Sequence, residues 1–191
     1  MSFDQTQRRE LLAIARKSIE YSLPQGDLAP CLREQLLPYL TEPRSCFVTL
    51  RIDGELRGCC GTLDASRSLA EDVWRNAWAS AFSDPRFPRL SVAEWPRVDL
   101  HISVLSNPEP LLVANEQDLL QRLRRGVDGL IFELGGARAT FLPVVWQQIP
   151  DPVRFVRQLK LKAGWPGDFW SPELRAWRYA TEGFGEREGM D

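Results

Sequence analysis

The chain has 191 residues and a formal net charge of −2. That length suits one domain, at most with a small appended lobe, and it suffices to bury a real core. The near-neutral charge argues against a generic nucleic-acid coat protein and leaves only a local basic patch for such a role. No run of about 18 apolar residues is present to span a membrane. Residues 1–10 are polar and mixed in charge, unlike a signal peptide, so a cytoplasmic address is expected. Cys31, Cys46, Cys59 and Cys60 form no CxxC pair, and His101 is the one histidine. That spacing fits no zinc template, so no metal, disulfide or cofactor is expected, and the thiols should be free in a reducing cytosol.

Asp4-Gln5-Thr6-Gln7 reads as a capping box, and Leu11, Ile14, Ala15, Ser18 and Ile19 share one helical face, which predicts a helix from Gln5 to Tyr21. Pro24 and Gly26 end it, and a short helix is expected within Cys31–Leu40. Cys46, Val48, Leu50 and Ile52 alternate with polar or outward residues and predict a strand. Asp53-Gly54 is a strong hairpin turn, returning the chain along Glu55–Thr62. Ser68 caps a helix in which Leu69, Val73, Ala77 and Ala81 form one apolar row and Ala70, Trp74, Trp78 and Phe82 the next. Ser91 caps a short turn ending at Trp95-Pro96. Val98, Leu100, Ile102 and Val104 alternate as a further strand, followed by a loop over Asn107–Pro110.

Asn115–Asp118 starts a helix running to Arg124, and Leu130–Leu134 and Ala137–Leu142 flank a second hairpin at Gly135-Gly136. Asp151-Pro152 opens another helix with apolar Phe155, Val156, Leu159 and Ala163, closed by Gly164. Leu174–Ala180 is expected as the last strand. Two hairpins and an isolated strand among helices predict an α+β fold with a largely antiparallel sheet flanked by helices.

Leu56-Arg57-Gly58-Cys59-Cys60-Gly61 is the most unusual stretch. Alternation along a strand places Arg57 and Cys59 on one face and Cys60 on the other. A thiol beside a fixed positive charge ionises more readily, and the flanking glycines let a substrate or another backbone approach. The competing reading is a buried cysteine pair beside a surface arginine. Asp84-Pro85-Arg86-Phe87-Pro88 puts both charges of a pair in a helix-ending loop, where they brace the loop or face a polar ligand. His101 lies opposite the core row of its strand, and no sequence logic ties it into a catalytic triad. The arginines at 122, 124 and 125, and the basic residues of the later helix, fit solvated helix ends.

Phe47-Val48-Thr49-Leu50, Gly54-Glu55-Leu56-Arg57-Gly58-Cys59 and Gly61 resemble the hallmark of the AMMECR-type domain family, also called AmmeMemoRadiSam system protein A. The resemblance continues through Ser80-Ala81-Phe82, Asp84–Pro88, Ser103-Val104-Leu105, Gly126–Leu130, Phe141-Leu142-Pro143 and Lys162-Ala163-Gly164, in order. Cys60 stands where the family pattern has Ile, and Val144-Val145 follow Leu142-Pro143 where members often have Gln-Val.

The resemblance implies one AMMECR-type domain over residues 1–185, with a smaller second lobe forming a cleft; residues 186–191 are expected as a frayed tail because chain ends order poorly. The resemblance also implies a shared pathway with Memo-like and radical SAM proteins, acting on a small molecule or RNA; no membrane or DNA partner is expected. On this reading Cys59 is the candidate catalytic residue, with Arg57, Gly58, Gly61, Asp84 and Arg86 as ligand-binding residues. The alternative is a non-catalytic adaptor or a nucleic-acid- or nucleotide-binding module.

Overall fold

In the computed structural model, residues 2–31 and 37–186 are described. The fold is α+β with two antiparallel four-stranded sheets, and the chain divides into two compact units, Met1–Leu105 with Glu182–Asp191, and Ser106–Thr181. Among the described residues, no helix is long and apolar enough to cross a membrane.

In the first unit, α1 (Gln5–Ser22) starts at the expected capping box: Asp4 accepts from the Gln7 N–H at 2.9 Å, and the Gln7 side chain accepts from the Asp4 N–H at 3.0 Å. The short helix expected within Cys31–Leu40 lies partly outside the described residues, and α2 covers Pro38–Thr41. Strands β1 (Cys46–Ile52) and β2 (Glu55–Gly61) pair antiparallel. Asp53 (φ 54°) and Gly54 (φ 88°) are both left-handed, the pair of conformations that a type I′ hairpin turn requires. Ser68 accepts from the Glu71 N–H and opens α3 (Leu69–Phe82), and β3 (Val98–Leu105) pairs with β1.

The sheet order is β2-β1-β3-β8, where β8 (Thr181–Gly185) is a strand absent from the sequence reading. Glu186, assigned to the tail, is anchored: its carboxylate pairs with Arg16 and accepts from the Leu100 N–H. The other tail residues, 187–191, lie outside the described residues. Helices α1 and α3 pack on one face of this sheet, burying Leu11, Ala15, Ile19, Val48, Leu50, Val73, Ala77 and Leu100 in one core.

A third row of α3, unseen in the sequence, is polar. Asp72, Asn76 and Ser80 recur at i+4 and are all buried. Asp72 accepts from the Cys46 N–H (2.9 Å), the Thr62 hydroxyl (2.7 Å) and the Asn76 amide (2.9 Å). Asn76 donates to the Cys46 carbonyl (3.1 Å), and Ser80 donates to the Val48 carbonyl while accepting from the Cys60 N–H. A buried polar group is tolerated only when bonded, and here the bonds to Cys46, Val48 and Cys60 tie α3 to β1 and β2.

The second unit has sheet order β4-β7-β5-β6, with β4 (Glu109–Leu111), β5 (Gly129–Leu134), β6 (Ala137–Phe141) and β7 (Arg175–Tyr179). β4 corrects part of the expected Asn107–Pro110 loop: Pro110 lacks an N–H, yet it sits on a sheet edge, where one is not needed. Helices α4 (Glu116–Arg122) and α5 (Pro152–Lys162) start at Asn115 and Asp151 as expected. Their core centres on Phe132, Leu159 and Phe155, with Phe155 stacked 3.8 Å from Trp146 of an unanticipated 3-10 turn.

Asp72→Ala takes this acceptor from three donors of the first unit, the Cys46 N–H, the Thr62 hydroxyl and the Asn76 amide, and is expected to cost roughly 3 kcal/mol, read from urea unfolding. Gly58→Ala drives a Cβ into the Ser80 carbonyl and is expected to lower the urea midpoint by the equivalent of about 2 kcal/mol.

Candidate functional site

β2 is an edge strand, and its register with β1 shifts between Leu50 and Arg51: Leu50 faces Gly58 and Arg51 faces Leu56. Arg57 is therefore an extra residue without a β1 partner, a bulge. Beyond it the alternation is regular. Cys60 pairs with buried Val48 on the helix-covered face, whereas Cys59 pairs with Thr49 on the opposite face. The Thr49 hydroxyl donates to Cys59 Sγ at 3.4 Å. Both thiols are half-buried.

The two segments singled out in the sequence meet at the backbone of Cys59. Its N–H donates to Asp84 Oδ2 (2.9 Å), and its carbonyl accepts from Arg86 Nη2 (3.1 Å). Arg86 in turn holds Asp84 through both oxygens, Nε to Oδ1 at 3.0 Å and Nη2 to Oδ2 at 2.7 Å. The Asp84 side chain is 3% exposed and that of Arg86 54%, so the carboxylate is the buried anchor and the guanidinium the outer part. Arg86, with the Cys59 and Arg86 N–H groups, outweighs burial and holds the Asp84 carboxyl well below the usual carboxylate range. The Cys60 thiol is pushed up, first by burial and then by the Asp84 charge and Cys59.

Arg57 is placed differently from the sequence reading. The bulge interrupts the alternation that put it on the face of Cys59, and its guanidinium is engaged elsewhere. Nε and Nη2 donate to Glu94 (2.8 and 3.2 Å), Nη2 also reaches the Arg89 carbonyl, and among the described residues no acceptor reaches the buried Nη1. The bond from Arg57, helped by the Ser91 N–H and hydroxyl, lowers the Glu94 carboxyl to about 2. Phe87 lies within 6.0 Å of both the Arg57 and Arg86 guanidiniums.

The glycines do not open the strand. A Cβ at Gly58 would meet the Ser80 carbonyl, and one at Gly61 would meet the Phe47 ring and the Cys46 carbonyl. Of the two visitors expected at this strand, it is another backbone, that of α3, that takes the space at Gly58.

His101 pairs with Thr49 on the next strand, so Cys59, Thr49 and His101 lie in one row across the sheet. Its imidazole carbons and nitrogens lie over Gly183, on the side away from β1. Among the described residues, no group of three or more His, Cys, Asp or Glu side chains has the arrangement to hold a metal ion. Cys46 is fully buried, which pushes its thiol well up, and it serves the core.

The AMMECR1 family model matches residues 12–184. The chain belongs to the AMMECR1 family. A protein of Methanothermobacter thermautotrophicus is 38% identical over 180 residues, covering 93% of each chain. One of Methanocaldococcus jannaschii is 36% identical over 77% of this chain and 75% of its own. The crystal structure of the uncharacterized protein PH0010 from Pyrococcus horikoshii superposes with a TM-score of 0.81 at 31% identity, covering 93% of this chain and 90% of that one. The AMMECR1 match begins well before Cys46, where the resemblance of motifs began, so α1 belongs to the shared fold.

Residues of the candidate site that the sequence reading missed are Ser80 and Glu94, the partners of Cys60 and Arg57. Ser80 was in view as part of a motif, and its i+4 relation to Asp84 and Asn76 was the available signal.

The acid limb of stability reports the clamp. Asp84 is more acidic in the folded chain than its ordinary value of about 4, so its contribution is complete above that range. It is lost as pH falls through the lower, folded value. The destabilisation caused by Asp84→Asn is expected to be full at neutral pH and to shrink on acidification. Urea midpoints of both proteins across that range check this. A difference that stays constant at acid pH would contradict the assignment.

Proposed function

We propose that this protein is the thiol-bearing component of a system that processes a small molecule, with Cys59 as the reacting group. The observation that carries this reading is the double clamp on the Cys59 backbone. A buried carboxylate takes its N–H and a guanidinium takes its carbonyl, while the side chain stays half-exposed on the face away from the helices. Rigid placement of a reacting atom is what nucleophilic chemistry gains most from a protein. A core cysteine needs no such placement.

On this reading the Cys59 sulfur adds to the electrophilic carbon of a substrate double bond, the π electron pair moves to the atom at the other end of that bond, and that atom takes up a proton from solvent in place of the one the thiol gave up. The Thr49 hydroxyl donates toward the sulfur, and the outer part of the Arg86 guanidinium meets an anionic group of the substrate. Asp84 is a positioning residue and Cys60 a structural one. Arg57 supports the site from beneath through Glu94 and Phe87, while Gly58 and Gly61 permit the packing that holds the strand. The pathway with Memo-like and radical SAM proteins implied by the family resemblance is part of the same proposal.

Brief alkylation with iodoacetamide at neutral pH, followed by peptide mapping, tests it. Cys59 is expected to label before Cys60, and Arg86→Ala to slow that labelling at least about threefold by loosening the peptide. Cys60→Ile should leave it unchanged. Labelling of Cys60 first, or of Cys59 only on unfolding, would make Cys59 a packing residue. Salt-dependent RNA binding unaffected by Cys59→Ser would favour an RNA-binding module instead.

A further inference from the structure

A separate hollow of about 640 Å³ lies wholly within the unit of residues 106–181 and shares no residue with the Cys59 site. Its walls are the β4 edge with the stretch after it, the outer side of α4, and the segment leading through Pro172 into β7. Two features show that packing does not explain it. Leu112 is 83% exposed, and Trp177 is only partly buried although β4 runs beside it.

The polar parts are arranged in order. Pro110 pairs with Trp177 across β4 and β7, and Arg175, two residues before Trp177, shares its face of β7. The Arg175 guanidinium lies 5.6 Å from the Trp177 ring centroid and is pinned by Glu133. The guanidinium lies over the indole ring, a cation–π contact that holds the indole in place. Arg122 lines the hollow from α4. Its Nε is bonded to Asp118 Oδ1 at 2.6 Å, and Asp118 Oδ2 accepts from the Ala114 N–H at 3.1 Å. The carboxylate is thereby spent locally, while the Arg122 side chain stays 53% exposed.

We propose that this hollow binds a small planar aromatic molecule carrying one anionic group, a carboxylate or phosphate. The ring lies on Trp177 against Leu112, and the anion meets the outer nitrogens of Arg122. The volume falls within the roughly 300–1,000 Å³ of small-molecule sites. Stacking on an indole face selects flat rings, and a guanidinium selects the oxyanion. The exposed carboxylate of Glu173 on the same lining limits the ligand to a single anionic group. A peptide added as a strand along β4 is disfavoured, because that edge has three residues and Pro110 removes a donor.

The probe is 1-naphthoate, with neutral 1-naphthamide and non-planar cyclohexanecarboxylate as controls, titrated into the isotope-labelled full chain and followed by NMR. Naphthoate is expected to shift the Trp177 indole and the amides of residues 111–114 and 174–177, saturating below about 1 mM. Both controls should bind at least about fivefold more weakly, Trp177→Ala and Arg122→Gln should each weaken naphthoate by at least about fivefold, and Glu173→Gln should tighten it. Both weakening variants alter exposed or half-exposed side chains, so unchanged amide dispersion certifies their fold. Equal binding of naphthamide, shifts centred elsewhere, or no saturable shift overturns the proposal.

Discussion

The first unit depends on one constraint: β2 ends its sheet, and the N–H groups it turns outward need acceptors. Helix α3 supplies them. Its buried polar row Asp72, Asn76 and Ser80, extended one turn on by Asp84, meets backbone groups of Cys46, Val48, Cys60 and Cys59 in succession. An exposed edge invites pairing with another chain, and covering it with a helix removes that liability. For side chains as short as Ser and Asp to reach the strand, helix and strand must touch backbone to backbone. Gly58 makes that contact possible.

The same seam determines the character of the site. Because Asp84 is needed at the Cys59 N–H, a carboxylate is buried, and a buried charge persists only when it is paired. Arg86 is the pair, and it reaches Asp84 from a loop whose geometry also brings it to the Cys59 carbonyl. Stability and site preparation are thus one set of bonds. The bulge at Arg57 has a comparable origin. Inserting a residue lets the guanidinium reach Glu94 and the Arg89 carbonyl, beyond the end of α3, and so ties the loop to the strand from its other side.

Much of this was legible in the sequence where local physics decides. The Asp4 capping box, the Asp53-Gly54 turn, the alternation of Cys46–Ile52 and the Ser68, Asn115 and Asp151 caps each needed only neighbouring residues. β4 and β8 were not legible, because three residues around a proline and a glycine-containing segment carry no alternation of their own and become strands through their partners. The site was half legible. Its two segments stood out by composition, but the bulge at Arg57, which interrupts the alternation, comes from register with β1, which no single strand encodes. The glycines looked like openings because a sequence shows what a residue lacks, not what fills the space.

The adjacent thiols show how sheet geometry separates residues that the chain joins. Successive side chains of a strand project to opposite faces. Cys60 therefore sits toward α3, where burial and the Asp84 charge keep its proton on, while Cys59 shares the other face with Thr49. A disulfide requires its two Cβ atoms about 4 Å apart and pointing toward one another, and a metal held by both sulfurs needs a similar convergence. The backbone that sets the two faces is itself held, the Cys60 N–H by Ser80 and the Cys59 N–H by Asp84, so bringing the sulfurs together would require that backbone to turn and give up these bonds. The seam that fixes α3 on β2 therefore also holds the two adjacent thiols on opposite faces of the strand.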